Sequence, residues 1–364
     1  MKMTYMVRSL LILLLLTAVG CGGWSRRPSA SGLLIEPEDA ARLGYVVNWS
    51  TNLDVPKRHE LSSVTLLGDV LYTVESPSNL VSAISVRDGE VLWQRVIGET
   101  MEKVYPPVRD AERVYFNNDT LIFTIGAAHG DLISTADLAQ VVQTGPVLIG
   151  RYAIFGGSDG TVFAHDLDAG YAKWSYKLTG AIVVPPVASQ QHVFAADSKG
   201  VYAALRAGDG ELIFRGRTFG PITAEPASTR GGIYVPSQDQ SLYALNRVTG
   251  KDKWVYPTAT PLTQAPAALG QAVYLPLPGA GLVALGAADG KVHWTSGLQA
   301  RAVYAHHGKV LLAYPGGLRW VDEKTGRVIE DAPTMPLRKV VALPDGGLLI
   351  VSPGGRIHRL IVKR

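Results

Sequence analysis

The sequence predicts an all-β protein, an eight-bladed β-propeller of four-stranded repeats about 40 residues long. Three observations lead there. Turn glycines recur at Gly89, Gly130, Gly170, Gly210, Gly250, Gly290 and Gly326, with spacings of 41, 40, 40, 40, 40 and 36 residues. Around them a frame repeats: a small residue, a turn, and an aromatic ten positions after the small residue. It is read as AISVRDGEVLW from Ala83, AHDLDAGYAKW from Ala164, ALNRVTGKDKW from Ala244 and ALGAADGKVHW from Ala284. ALRAGDGELIF from Ala204 keeps the frame, with Phe214 in the Trp place. Between copies lie short runs of β-branched and aromatic residues broken by Gly, Pro, Asp and Ser, the pattern of strands and tight turns. A fixed period near 40 with one turn and one aromatic per unit is a repeat architecture in which stacked units share a core.

Composition agrees. Of 364 residues, 47 % are hydrophobic and 18 % charged, ample for a large core. The 39 Gly and 22 Pro suit a chain that turns often. Net charge is +4, half of it from Lys2 and Arg8 in the first twenty residues, too near neutral to argue for nucleic acid.

Taken in order, residues 1–20 have the layout of a secretory signal peptide. Basic Lys2 and Arg8 precede an apolar run from Leu10 to Leu16, too short to span a membrane. Cys21, the only cysteine, follows Ala18-Val19-Gly20 and resembles the lipidated cysteine of a bacterial lipobox. The alternative is an ordinary cleaved signal with an incidental cysteine. With no second cysteine the exported domain has no disulfide and must be held by packing. Residues 21–40 mix Gly, Ser, Pro and charge without a period and read as a lipidated Cys and flexible tether. The propeller occupies 41–364.

From Tyr45 onward strand follows turn. Leu71–Val74, Val81–Val86 and Val91–Ile97 are split by Glu75-Ser76-Pro77-Ser78 and by the hairpin dipeptide Asp88-Gly89. The outer-strand position falls on Trp49, Trp93, Ser134, Trp174, Phe214, Trp254, Trp294 and Glu330, eight in all. Trp49 precedes any complete unit, while the C-terminus supplies three strands without a fourth. Pairing of the N- and C-terminal strands therefore completes the last blade and hides the edges of an open array.

The aromatic and the small residue have a shared packing logic. The expectation is that Ala83, Ala164, Ala204, Ala244 and Ala284 each leave room for a neighbouring blade's ring, with Gly89, Gly170, Gly210, Gly250 and Gly290 making the turns. Blade two (Thr124, Ser134), blade seven (Trp320, Glu330) and blade eight, with Arg359 in the alanine place, depart from the frame and mark weak contacts.

Side chains that could carry chemistry are few. His306-His307-Gly308 lies between two strands and reads as a polar hairpin, because adjacent turn residues point apart and no third ligand is near. Asp159, Asp197 and Asp239 recur in SDG, DSKG and QDQ, which is hairpin chemistry before calcium chemistry. Ser158-Asp159-Gly160 lacks the strand-to-helix elbow of a nucleophile. No phosphate loop or zinc spacing appears. No residue is expected to be catalytic, to ligate a metal or to hold a cofactor.

The frame Ala-x-Asp-x-x-Thr-Gly-x-x-x-Trp resembles the repeat of pyrroloquinoline-quinone (PQQ) propellers, most closely at Thr249, Gly250, Lys251 and Trp254, then at Ala164, Asp166, Gly170 and Trp174. The resemblance covers residue 45 to the end. Two groups share it: quinone- and calcium-dependent dehydrogenases, and the outer-membrane assembly lipoprotein BamB with its relatives, which bind proteins without a cofactor. The dehydrogenases are longer and carry a vicinal cysteine pair, which a chain with Cys21 alone cannot supply. The lipobox, tether, eight units and closing GGRIHRLIVKR are similar to the BamB family. That resemblance implies a non-enzymatic, monomeric scaffold, lipid-anchored in the bacterial envelope at the outer membrane and facing the periplasm. Its implied partners are envelope proteins, outer-membrane barrel assembly components among them. The family's contact loops follow the Trp strands and correspond here to 179–184, 219–224 and 258–264, short and nearly uncharged. A quinone/calcium-dependent dehydrogenase is the alternative, and a glycan-binding propeller ranks below it because the tryptophans are committed to the repeat.

Overall fold

A computed structural model describes residues 32–189 and 191–363. Eight four-stranded antiparallel sheets follow one another along the chain. Seven run inner, second, third and outer strand in sequence order; blade one, for example, uses Glu60–Leu67, Val70–Ser76, Leu80–Ser85 and Val91–Val96. The eighth takes Lys339–Ala342, Leu348–Val351 and Arg356–Val362 from the C-terminus and its outer strand, Tyr45–Asn52, from the N-terminus. Trp49 lies opposite Arg359 across that closing pair. The eight-bladed ring closed by its two ends is as the repeat arithmetic requires.

The tryptophan frame has a definite geometry. In each of five blades the small residue and the aromatic are cross-strand partners: Ala83 with Trp93, Ala164 with Trp174, Ala204 with Phe214, Ala244 with Trp254, Ala284 with Trp294. A register shift follows at once in every case, so one extra outer-strand residue bulges beside the aromatic. In four of these blades the second strand adds another ring to the same row, as in Tyr72–Ala83–Trp93 and Tyr274–Ala284–Trp294. The methyl group between them lets the two rings meet at 5.9 Å. The alanine thus makes room for its own blade's aromatics, not for a neighbour's indole.

What the neighbouring blade provides is the turn glycine. A Cβ on Gly130 would stand 2.5 Å from Trp93, on Gly210 2.6 Å from Trp174, on Gly250 2.2 Å from Phe214, and on Gly290 2.7 Å from Trp254. Where the ring is an indole, the carbonyl three residues before the facing glycine accepts its N–H: Ala127 from Trp93 at 3.0 Å, Ala207 from Trp174 at 2.8 Å, Ala287 from Trp254 at 3.2 Å and, before Gly326, Glu323 from Trp294 at 2.9 Å. One ring therefore packs on a bare backbone turn and satisfies its polar atom there, so the repeat is an inter-blade latch. Gly89 plays the part for Trp49, so the latch also operates across the closure.

The irregular blades are compensated. Where Ser134 replaces the aromatic, a Cβ on Gly170 would meet nothing within 4 Å, and Tyr115, Phe155 and Phe163 with Leu138 and Val142 fill the core between blades two and three. Arg359, expected to weaken blade eight, donates from Nη1 to the carbonyls of Val86 and Arg87 in blade one and from Nη2 to Asp345. At blade seven the ring moves inward: Trp320 on the third strand is buried and donates to Leu43 O at 3.1 Å.

That last contact corrects the extent of the tether. Leu34, Ile35, Ala40 and Leu43 are buried with Leu318, Trp320, Leu348 and Leu360, and a short helix, Pro37–Arg42, packs on the outer strand of blade seven. The segment from Leu33 to Leu43 is part of the propeller because Glu330 leaves a gap that apolar side chains can cover. Residues 1–31, including the expected signal sequence and Cys21, lie outside the described residues.

Candidate functional site

Because the strands alternate, connections fall on two faces. One face carries the indole-receiving turns. The other carries the links from each outer strand to the next inner strand, together with the turns between second and third strands. This second face, here called the loop face, also opens onto the central channel, and both candidate sites lie on it.

The loops following the outer strands are held by the aspartates of DSKG and QDQ. Asp197, fully buried, accepts at Oδ2 from the Thr179 N–H, the Thr179 hydroxyl and the Gly180 N–H, at 3.0, 2.9 and 2.8 Å. Its Oδ1 accepts from the Lys199 and Val201 amides. Burial pushes this carboxyl up, but the amides of Gly180, Val201, Thr179 and Lys199 outweigh it and hold the pKa below its ordinary value. Asp239 repeats the device, accepting from the Phe219 N–H at 2.8 Å and the Tyr243 hydroxyl at 2.7 Å. Asp159 holds its own turn through Thr161 and pairs with Lys177 at 2.5 Å. These carboxylates bond backbone and neighbouring side chains, and of the Asp239 oxygens only Oδ2 does so, Oδ1 being buried without a partner among the described residues. Two of them staple one blade's loop to the next blade's turn, a role invisible locally since the donors lie 18 and 20 residues upstream.

Of the three loops singled out from the sequence, 219–224 carries a strong feature. Phe219 is 90 % exposed although its backbone is fixed by Asp239. Met101, on the corresponding loop after blade one, is 83 % exposed. By contrast the interiors of these loops are anchored by buried Val104, Ile182, Ile222 and Leu262. Rigid loops that leave a large apolar side chain in water have the character of contact surfaces.

The described tryptophans are elsewhere. Trp49, Trp93, Trp174, Trp254, Trp294 and Trp320 all donate to backbone carbonyls. No row of open indoles is left among the described residues to stack on sugars. His306 and His307 depart from expectation: their rings touch, with centroids 3.9 Å apart, and His306 stacks on Tyr304. A positive φ of 48° at His307 brings them together. No group of three His, Cys, Asp or Glu side chains is poised to hold a metal among the described residues.

The mouth of the central channel is the second candidate site. Innermost strands enter it behind prolines, among them Pro107, Pro146, Pro186, Pro226 and Pro266, which preset an extended entry. A cavity of about 720 Å³ lies there, bounded by Pro106, Gly145, Pro185, Glu225, Arg301 and Lys339 among others. Glu225 is solvent-reached yet hemmed in by protein; that desolvation raises its carboxyl pKa, opposed by Lys339. The sequence signal was the residue before each proline, neutral at Pro106, Gly145, Pro185 and Ala265 and acidic only at Glu225.

The fold and its stapled loops define a closed propeller built to present a rigid face. Comparison with known proteins places it further. The profile of the family described as outer membrane protein assembly factor BamB matches residues 45–176 and 158–306. The chain belongs to that family. The outer membrane protein assembly factor BamB of Yersinia pestis is 30 % identical over 164 residues, 44 % of this chain and 40 % of that protein. The Salmonella typhimurium protein of the same name is 32 % identical over 145 residues, 39 % of this chain and 36 % of that protein. The matches thus span about two fifths of these relatives' length. Among solved structures, BamB from Moraxella catarrhalis superposes with a TM-score of 0.71 at 18 % identity, covering 88 % of this chain and 98 % of that one. A computationally designed protein, Ika8, superposes almost as well, with a TM-score of 0.70 at 11 % identity over 85 % of this chain and 98 % of that one. Both likenesses are likenesses of fold.

Proposed function

We propose that the protein is a non-enzymatic scaffold of the bacterial envelope that works in outer-membrane protein assembly by docking its loop face on a protein partner. The observation that carries this reading is Phe219, a large apolar side chain in water on a loop whose backbone Asp239 holds in place. Such a residue is preorganised for a hot spot, because little ordering cost remains to be met on binding. Family membership supplies the class of process, and the names of the relatives point to the outer membrane.

Attachment follows the same geometry. Arg356 Nη1 donates to Gly32 O at 2.6 Å, and Met335 N to Leu34 O at 2.8 Å, so the described chain begins at the loop face. With Cys21 as the lipidated residue, the stretch to Gly32 reaches no more than about 40 Å. The loop face is then kept within that distance of the membrane.

The test is capture of partners from crosslinked envelopes by the full chain, compared with Phe219→Asp. Recovery of outer-membrane barrel assembly components by the wild type, reduced at least tenfold by F219D, is expected. Equal recovery by both would remove the loop face from the interaction. Recovery of no assembly component would remove the assembly role.

A further inference from the structure

The channel mouth has an electrostatic imbalance that scaffolding does not use. Four charged side chains line the cavity of about 720 Å³: Arg301, Arg338 and Lys339 from blades seven and eight, and Glu225 from blade five. Among the described residues none of the three cations is in an ion pair within 4.0 Å. Arg338 spends one N–H on Ser62 O at 2.8 Å, which fixes its position without neutralising it. Glu225 faces Lys339 across the mouth closely enough to feel its charge. The cavity therefore carries three positive groups against one negative, inside low-dielectric walls that focus the field.

We propose that this mouth is a binding site for a small molecule bearing two or more anionic groups, phosphate or carboxylate. Arginine forks suit planar and tetrahedral oxyanions, and two of them beside a lysine can share a doubly charged ligand. The cavity volume falls within the range of small-ligand sites, roughly 300 to 1,000 Å³. The prolines precede the inner strands of blades two to six and fix the Glu225 side of the mouth, while on the cationic side Arg338 is held by its bond to Ser62 O. Glu225 lies opposite and disfavours anions that reach across the whole mouth, limiting the ligand to the side of blades seven and eight. The site is separate from Phe219 and does not rest on the docking reading.

Isothermal titration at low ionic strength tests it, using purified full-length protein with inorganic pyrophosphate and with citrate. One-to-one saturable binding of at least one probe is expected, weakening as sodium chloride is raised. The R301A/K339A double variant should bind at least tenfold more weakly while keeping the wild-type circular dichroism spectrum. E225Q should bind several-fold more tightly, since it removes the opposing charge, and a folding defect cannot mimic that gain. Absence of saturable binding by both probes overturns the proposal, as does affinity indifferent to R301A/K339A or lowered by E225Q. Binding of an oligoglutamate peptide through the same cations, with neither small anion bound, overturns it in favour of an acidic polypeptide.

Discussion

If the repeat is a latch between blades, then two glycines in the same turn position must respond differently to the same substitution. Gly210 and Gly170 have nearly the same left-handed backbone, with φ of 74° and 75°. Each sits at the same place in its blade, and their amides close equivalent turns onto Arg206 O and Asp166 O at 2.9 and 2.8 Å. They differ in what lies over them. A Cβ at Gly210 would stand 2.6 Å from the Trp174 ring, whereas one at Gly170 meets nothing within 4 Å because Ser134 occupies the aromatic position. Alanine at either site takes on the left-handed conformation, costing about 1 to 2 kcal/mol. At Gly210 it must also displace a buried indole that donates to Ala207 O, an overpacking cost of about 1 to 3 kcal/mol more. Equilibrium denaturation in urea should therefore place G210A below G170A by that second amount, with an unchanged m-value. The cycle can be completed: T124A/S134W supplies a ring over Gly170, and in that background G170A should become as costly as G210A. Equal destabilisation at the two glycines in the wild-type background would refute the latch, leaving only backbone strain to explain why glycine stands there.

Further predictions concern the closure and its pH response. Leu34→Asp buries a carboxylate among Leu318, Trp320 and Leu360 and should cost about 3 kcal/mol or more, read as a lower denaturation midpoint and a red-shifted Trp320 emission. His358 is buried on the third strand of blade eight, and burial with nearby Arg356 pushes its imidazole down to about 4. Its folded pKa is below the unfolded value, so the unfolded chain binds the extra proton. Stability contributed by neutral His358 is full above about pH 6.5 and is lost as pH falls toward 4, by up to about 3 kcal/mol. Denaturation midpoints at pH 7 and pH 4.5 should therefore differ less in His358→Gln than in the wild type; equal differences would exclude this residue as the source.

Much of the architecture was legible because the repeat is written in single residues. A glycine must stand where a ring lies on the turn, and an alanine must stand where two rings meet above it, so sequence records both as a column. The assignment of Ala83 and its equivalents to a neighbouring blade failed for a specific reason. A spacing of ten residues says that two positions are related, but not whether they pair across one hairpin or pack between sheets. The register pairs Ala83 with Trp93 and gives the inter-blade contact to Gly130. Turn chemistry accounts for the bonds of Asp197 to Lys199 and Val201 but for none that the Asp239 carboxylate makes, and the duty of both to the preceding loop depends on how blades are spaced around the axis.

The sequence by itself determined the class of fold, the number of blades and the terminal strand that closes the ring, since each follows from a short-range pattern repeated at a fixed period. The tertiary structure decided what covers the gap at Glu330, which aromatic stays in water, and which charges meet at the channel mouth. Leu34 lies 286 residues from Trp320, and Glu225 lies 114 from Lys339. Such pairs share no local pattern, because ring closure alone brings them within reach of each other.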